Sequence, residues 1–213
     1  MKFFAGGLLF DNDGVLVDSM PIAEKCWNLW AQEFGVEGFD IEEHAGRRAS
    51  DIVLSTVGPE LFEQASKRID QIELETTEGT PALPGAINLL KSLKPGTWTV
   101  CTSAFEALGR GRLAAAGLPI PAQLVTGDDV QNGKPAPDPY LLGAERLGFD
   151  IADCVIFEDA QLGVEAGQAA GAGLIVGVGK QALATEADIV ISELTGITFD
   201  GETLVIPDKS RLR

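Results

Sequence analysis

Histidine is almost missing from this chain: His44 is the only one in 213 residues. That scarcity nearly excludes multi-histidine metal centres and histidine-based nucleophile triads. Cysteine is scarce as well. Cys26, Cys101 and Cys154 each sit in an apolar run, show no metal-type spacing and are odd in number. Free buried thiols in a reducing compartment are therefore expected, not a disulfide framework. Positive charge is short: 16 Lys and Arg face 32 Asp and Glu, a formal net charge of −16. This balance argues against nucleic acid or an anionic membrane surface as partner. It also obliges any phosphate site to rely on local cations. No apolar run approaches the ~20 residues that span a bilayer, and there is no internal repeat or low-complexity tract. Met1-Lys2-Phe3-Phe4 leads directly into an apolar strand, so no removable signal segment is expected and a cytoplasmic location is.

What the chain does have is acids placed just past apolar runs. Asp11-Asn12-Asp13-Gly14 follows Gly7-Leu8-Leu9-Phe10. Extended side chains alternate, so Asp11 and Asp13 fall on one side of the backbone. Two such charges need a cation between them, or a proton on one of them. Alone, this stretch also reads as a solvated turn. Three further segments repeat the pattern. Trp98-Thr99-Val100-Cys101-Thr102-Ser103 ends in hydroxyls, Asn132-Gly133-Lys134-Pro135 offers a cation, and Cys154-Val155-Ile156-Phe157-Glu158-Asp159 ends in acids that could also cap the following helix. In an open parallel sheet these strand ends converge on one crevice.

The order of elements supports that sheet. Residues 3–13 read as a strand, and residues 21–34, 41–57 and 59–76 read as helices, with no strand among them. From residue 81 helices and strands alternate: helices at 85–93, 105–116, 138–147 and 161–171, strands at 97–102, 123–126, 154–158 and 173–177. Residues 187–191 and 203–206 read as closing strands. Alternation of this kind implies a doubly wound parallel α/β sheet. The predicted organisation is a core of residues 1–17 and 83–213, with an inserted all-helical cap of residues 18–82 over the crevice. Trp27 and Trp30, at helical spacing, are expected in the core of that cap.

On these motifs the chain resembles the haloacid dehalogenase superfamily of phosphohydrolases. The first motif is Asp11 through Ser19, the second Thr102, the third Lys134 in Gly-Lys-Pro-Ala-Pro-Asp, and the fourth Glu158-Asp159-Ala160-Gln161-Leu162-Gly163. Within the superfamily it is similar to small sugar and polyol phosphatases through Thr76–Gly79, Leu83–Ala86, Gly117-Leu118-Pro119 and Lys134–Leu142. The resemblance implies a Mg2+-dependent phosphatase with a phospho-aspartate intermediate. It implies Asp11 as nucleophile and Asp13 as general acid and base, with neighbours that raise the Asp13 pKa. The implied Mg2+ ligands are the Asp11 carboxylate, the Asp13 backbone carbonyl and the Asp159 carboxylate, with Glu158 at or just beyond that shell. Thr102, Ser103 and Lys134 would bind the phosphoryl group.

In the cap, Gly46-Arg47-Arg48 is a candidate for substrate specificity: either arginine could grip hydroxyls or a second anion. The expected substrate is a small phosphorylated sugar or polyol, taken by a monomer. A phospho-receiver domain would lack the helical insertion, and a haloalkanoic acid dehalogenase would need neither Asp13 nor Mg2+. A sugar-phosphate mutase of the β-phosphoglucomutase type is the alternative. That branch carries a histidine on the first cap helix, where this chain has Ala23.

Overall fold

Gly7–Phe10 is fully buried along its length, which suits a strand covered on both faces. The computed structural model describes residues 1–213. Its strands are β1 (Lys2–Phe4), β2 (Gly7–Phe10), β3 (Trp98–Val100), β4 (Cys154–Glu158), β5 (Leu174–Val178), β6 (Ile189–Ile191), β7 (Thr198–Phe199) and β8 (Thr203–Val205). A five-stranded parallel sheet runs in the order β3-β2-β4-β5-β6. The helices are α1 (Met20–Phe34), α2 (Ala49–Val57), α3 (Phe62–Glu75), α4 (Ala86–Ser92), α5 (Glu106–Ala115), α6 (Asp138–Leu147) and α7 (Gln161–Ala170).

Alternation along β2 assigns the two faces. Leu8 and Phe10 pack with Leu89 and Leu90 of α4 and Leu113 of α5. Leu9 packs with Tyr140 and Ala144 of α6 and Val164 of α7. Phe10 stacks on Phe157 of β4 with ring centroids 4.7 Å apart. The sheet is therefore wound on both sides, as the sequence predicts.

Helices α1 to α3 form a separate apolar cluster around Trp27, Trp30, Ile52, Val53, Ile69 and Ile72. Trp27 and Trp30 are both buried, meeting edge to face at 5.2 Å. The segments joining this helical cap to the sheet run side by side. Asp18 N–H donates to Pro81, Leu83 N–H donates to Leu16, and Val17 bridges Ala82. Gly85 closes the return at φ +88°, where any side chain would collide with the backbone of Leu194 and Thr195.

The structure corrects several predicted elements. The strand expected over 3–13 is two strands: β1 leaves the main sheet and pairs antiparallel with β8, which also pairs with β7. The turn between them is held by Ala5 N–H to Glu202 and Gly6 N–H to Asp153. Residues 203–206 thus close this small sheet, while Ile189–Ile191 closes the parallel one. Residues 123–126 make only a single bridge, Val125 to Cys101, because the chain turns away at once. The helix expected over 41–57 is a short 3-10 turn, Ile41–His44, then α2, interrupted where Gly46 takes φ +85°. The helix expected from residue 59 begins at Phe62.

Candidate active site

The register Phe10 to Phe157 aligns the ends of β2 and β4, so the acids that follow meet. Between them lies Lys134, 3% exposed, which donates from Nζ to Asp11 Oδ1 at 2.6 Å and to Glu158 Oε1 at 2.6 Å. Tyr140 Oη donates to the same Glu158 oxygen at 2.7 Å, and the Tyr140 ring lies 5.0 Å from the ammonium. Asp11, Glu158 and Asp159 present carboxylate oxygens all within 4.8 Å of one another. Three carboxylates against one ammonium is a donor set suited to a hard divalent cation. The chain leaves them room: a side chain on Gly14 would fall on Asp159, and one on Gly163 would fall on Glu158.

Burial governs the electrostatics. It lifts the Asp11 carboxyl to about 7, with the charges of Glu158 and Asp13 adding to the rise and Lys134 opposing it. Burial, Glu158 and Asp11 likewise push Asp159 well above the usual carboxylate range. For Lys134, burial works against the charge, but Asp11 and Glu158 outweigh it and hold the ammonium protonated. Glu158 and Asp159 do not cap α7 with their side chains. Ala160 stands at the cap position, and Glu158 Oε2 accepts the amides of Asp159 and Ala160 instead.

Asp13 is placed differently. Its Oδ1 accepts from Ser19 Oγ at 2.5 Å and from Arg112 Nη1 at 2.9 Å. Arg112, 8% exposed on α5, also donates from Nη2 to Glu73 Oε1 of α3 at 2.9 Å. Burial raises the Glu73 carboxyl against the pull of Arg112. Sequence reasoning missed Arg112, Glu73 and Tyr140. A signal existed for Arg112: it falls four residues after Leu108, on the apolar face of α5.

Thr102 is buried, and its Oγ1 accepts the Ala104 amide at 3.1 Å. Ser103 donates from Oγ to the Gly46 carbonyl of the cap at 2.7 Å. The amides of Asn12, Asp13 and Ser103 donate to no group of the chain, which leaves three N–H donors at the strand ends.

Above these groups is a cavity of ≈ 940 Å³ walled by both cap and core. Asp11, Asp13, Ser103, Asp159, Gly46 and Arg47 line it; Arg48 does not. Arg47 is held by Nη1 to His44 Nδ1 at 3.2 Å and by Nη2 to the Asp51 carbonyl at 3.1 Å. Arg48 turns the other way, pairing with both Asp51 oxygens and donating to the Val130 and Gln131 carbonyls of the core. Ala23 of α1 also faces the cavity, with only a methyl to offer. No helix is long and apolar enough to cross a membrane.

Comparison with known proteins agrees with this architecture. Hexitol phosphatase A of Escherichia coli (strain K12) is 40% identical over 200 residues, covering 90% of this chain and 93% of that protein. 2-deoxyglucose-6-phosphate phosphatase 1 of Saccharomyces cerevisiae is 30% identical, covering 92% and 91%. A solved structure described as a putative β-phosphoglucomutase from Bacteroides vulgatus superimposes with a TM-score of 0.75 at 28% identity, covering 89% of this chain and 84% of that one. A family model for haloacid dehalogenase-like hydrolases matches residues 6–171. That span carries every acid, hydroxyl and lysine gathered at the strand ends, and the chain belongs to the haloacid dehalogenase-like hydrolases.

Proposed function

We propose that this chain is a Mg2+-dependent phosphatase that hydrolyses small phosphorylated sugars or sugar alcohols through a phospho-aspartate on Asp11. The observation that carries the reading is the buried Asp11–Lys134–Glu158 cluster, with Asp159 beside it, which meets the cavity between cap and core through Asp11 and Asp159. The names of the hexitol and deoxyglucose phosphatases among its relatives support the substrate class. Residues 18–82 act in this reading as the lid.

An Asp11 oxygen attacks phosphorus in line while the bond to the substrate's alkoxide oxygen breaks. Asp13 gives that oxygen its proton. Asp13 then takes a proton from the water that attacks the phospho-aspartate, releasing Asp11 and inorganic phosphate. Both strong donors to Asp13 bind Oδ1, so Oδ2, approached only by Asn12 Nδ2 at 3.5 Å, is the oxygen left to carry the proton. Lys134 keeps its charge and neutralises the phosphoryl oxygens, while Thr102 Oγ and the free amides of Asn12, Asp13 and Ser103 donate to them. Mg2+, held by the Asp11 and Asp159 carboxylates and the Asp13 carbonyl, with Glu158 at or beyond that shell, would offset the dianion's charge. Ala23, a methyl at the mutase-histidine position, supports hydrolysis over transfer. Gly46 and Arg47 are placed to meet the organic part of the substrate, whereas Arg48 serves the lid's attachment.

The test is turnover against a panel of hexitol, hexose and glycerol phosphates. Excess chelator should abolish it and Mg2+ restore it. Asp11→Asn should leave no turnover and no phosphorylated protein. Full activity in chelator would sink the metal assignment, and turnover by Asp11→Asn would sink the nucleophile.

A further inference from the structure

Four buried side-chain polar atoms lack a hydrogen-bond partner, and all four are oxygens: Asn12 Oδ1, Ser66 Oγ, Glu73 Oε2 and Gln161 Oε1. Two of them, on Glu73 and Gln161, belong to residues that line the cavity. A native interior pairs nearly all its buried polar groups, so an orphan in a binding cavity asks what satisfies it. Glu73 is the more informative of the two. It is 5% exposed and comes from the cap helix α3, and only its Oε1 is occupied, by Arg112.

An arginine fork can hold one carboxylate by both oxygens. Here the fork is divided. Arg112 spends Nη1 on Asp13 and Nη2 on Glu73, which leaves Oε2 of Glu73 without a donor. The same division ties Glu73 to the acid/base residue through a single planar group. Glu73 thus shares the cavity wall with Asp13, the proposed acid/base for the leaving oxygen, and is joined to it by one guanidinium. An ionised carboxylate only accepts hydrogen bonds. It suits a hydroxyl and repels a second phosphate.

We infer that Glu73, clamped by Arg112, selects the substrate by accepting a hydroxyl on its carbon chain close to the phosphoester. The inference rests on the phosphatase reading above and narrows its substrates to monophosphates hydroxylated near the ester. Gln161, whose amide nitrogen is fixed by Glu165 at 2.8 Å, presents a second acceptor of the same kind.

The experiment compares kcat/KM for glycerol 1-phosphate and n-propyl phosphate, with p-nitrophenyl phosphate as a reference, in the native protein, Glu73→Gln and Glu73→Ala. The native protein should favour the hydroxylated ester. Glu73→Ala should lower the glycerol-to-propyl ratio roughly ten- to hundredfold, the range of one hydrogen bond to a charged group. Any loss from a loosened Arg112 falls on both esters and leaves the ratio alone. Glu73→Gln keeps an oxygen for Arg112 and puts an amide nitrogen at the Oε2 position, so the ratio should fall there too; this variant decides if Glu73→Ala fails to fold. An unchanged ratio in the folded variants would overturn the inference and make the pair a plain lid contact. So would a native ratio near one in a protein active on p-nitrophenyl phosphate. Inactivity of the native protein on all three esters would instead overturn the phosphatase reading, and this inference with it.

Discussion

Asp11 faces two opposed demands in the proposed mechanism: as a cation ligand it would have to be ionised, yet it is buried among other acids. Burial, with Glu158 and Asp13 adding to it, lifts its carboxyl to about 7 despite Lys134. The metal-free site is therefore expected to hold a proton below neutral pH, shared with the likewise raised Asp159, and a bound cation would have to expel it. Proton release on Mg2+ binding should thus be larger at pH 6 than at pH 8, and apparent Mg2+ affinity should fall as pH drops below about 7. Calorimetry in two buffers of different ionisation enthalpy measures this directly. Equal release at both pH values would mean that the site is already ionised at pH 6. Asp11, Asp13, Lys134, Glu158 and Asp159 were legible in the sequence because each follows an apolar run or a glycine-proline frame, and sheet topology brings such positions together. Arg112 and Glu73 were not. Their meaning depends on the distance between α5 and α3, which no local pattern encodes. The expectation of neighbours that raise the Asp13 pKa likewise did not foresee a guanidinium 2.9 Å from its carboxylate.

Among elements, α1 shows how the cap holds itself together. Trp30 is fully buried, and its Nε1 donates to the Ala65 carbonyl of α3 at 2.9 Å. It also packs against Trp27, Phe34 and Phe39. Trp30→Ala would open a cavity and remove that hydrogen bond between helices. The expected cost is about 3–5 kcal/mol, measured as a lower urea midpoint. A change under about 1 kcal/mol would show that the cap does not depend on this contact. Helical periodicity made α1, α2 and α3 legible because each presents one apolar stripe to its neighbours. The break at residues 45–48 escaped it: Gly46 leaves the helical region to bring its carbonyl to Ser103, a demand set by the core. The first strand was over-extended for a related reason. Phe3 and Phe4 look like the start of β2, but the pairing that claims them comes from β8, some two hundred residues later.

At the scale of the whole molecule, cap and core are joined by four hydrogen bonds beyond the linking segments: Ser103 to Gly46, Arg48 to Val130 and to Gln131, and Arg112 to Glu73. Arg48 stands outside the cavity, so its removal should act on how well the lid sits and not on which substrate it accepts. Arg48→Ala is expected to lower kcat/KM by a similar factor, roughly three- to thirtyfold, for a hexitol phosphate and for p-nitrophenyl phosphate. A loss confined to the hexitol ester would return Arg48 to substrate binding. The proposed division of labour between cap and core leaks at two contacts, Ser103 to Gly46 and Arg112 to Glu73, and the second reaches Asp13. Substitutions in well-separated parts of a protein combine additively, whereas those sharing a partner do not. Cap changes that alter which ester is taken can therefore accumulate independently of the acids at the strand ends, except at Glu73. There, a change in diet perturbs Asp13 through a common guanidinium, and the lineage that makes it must adjust both at once or lose turnover on the way.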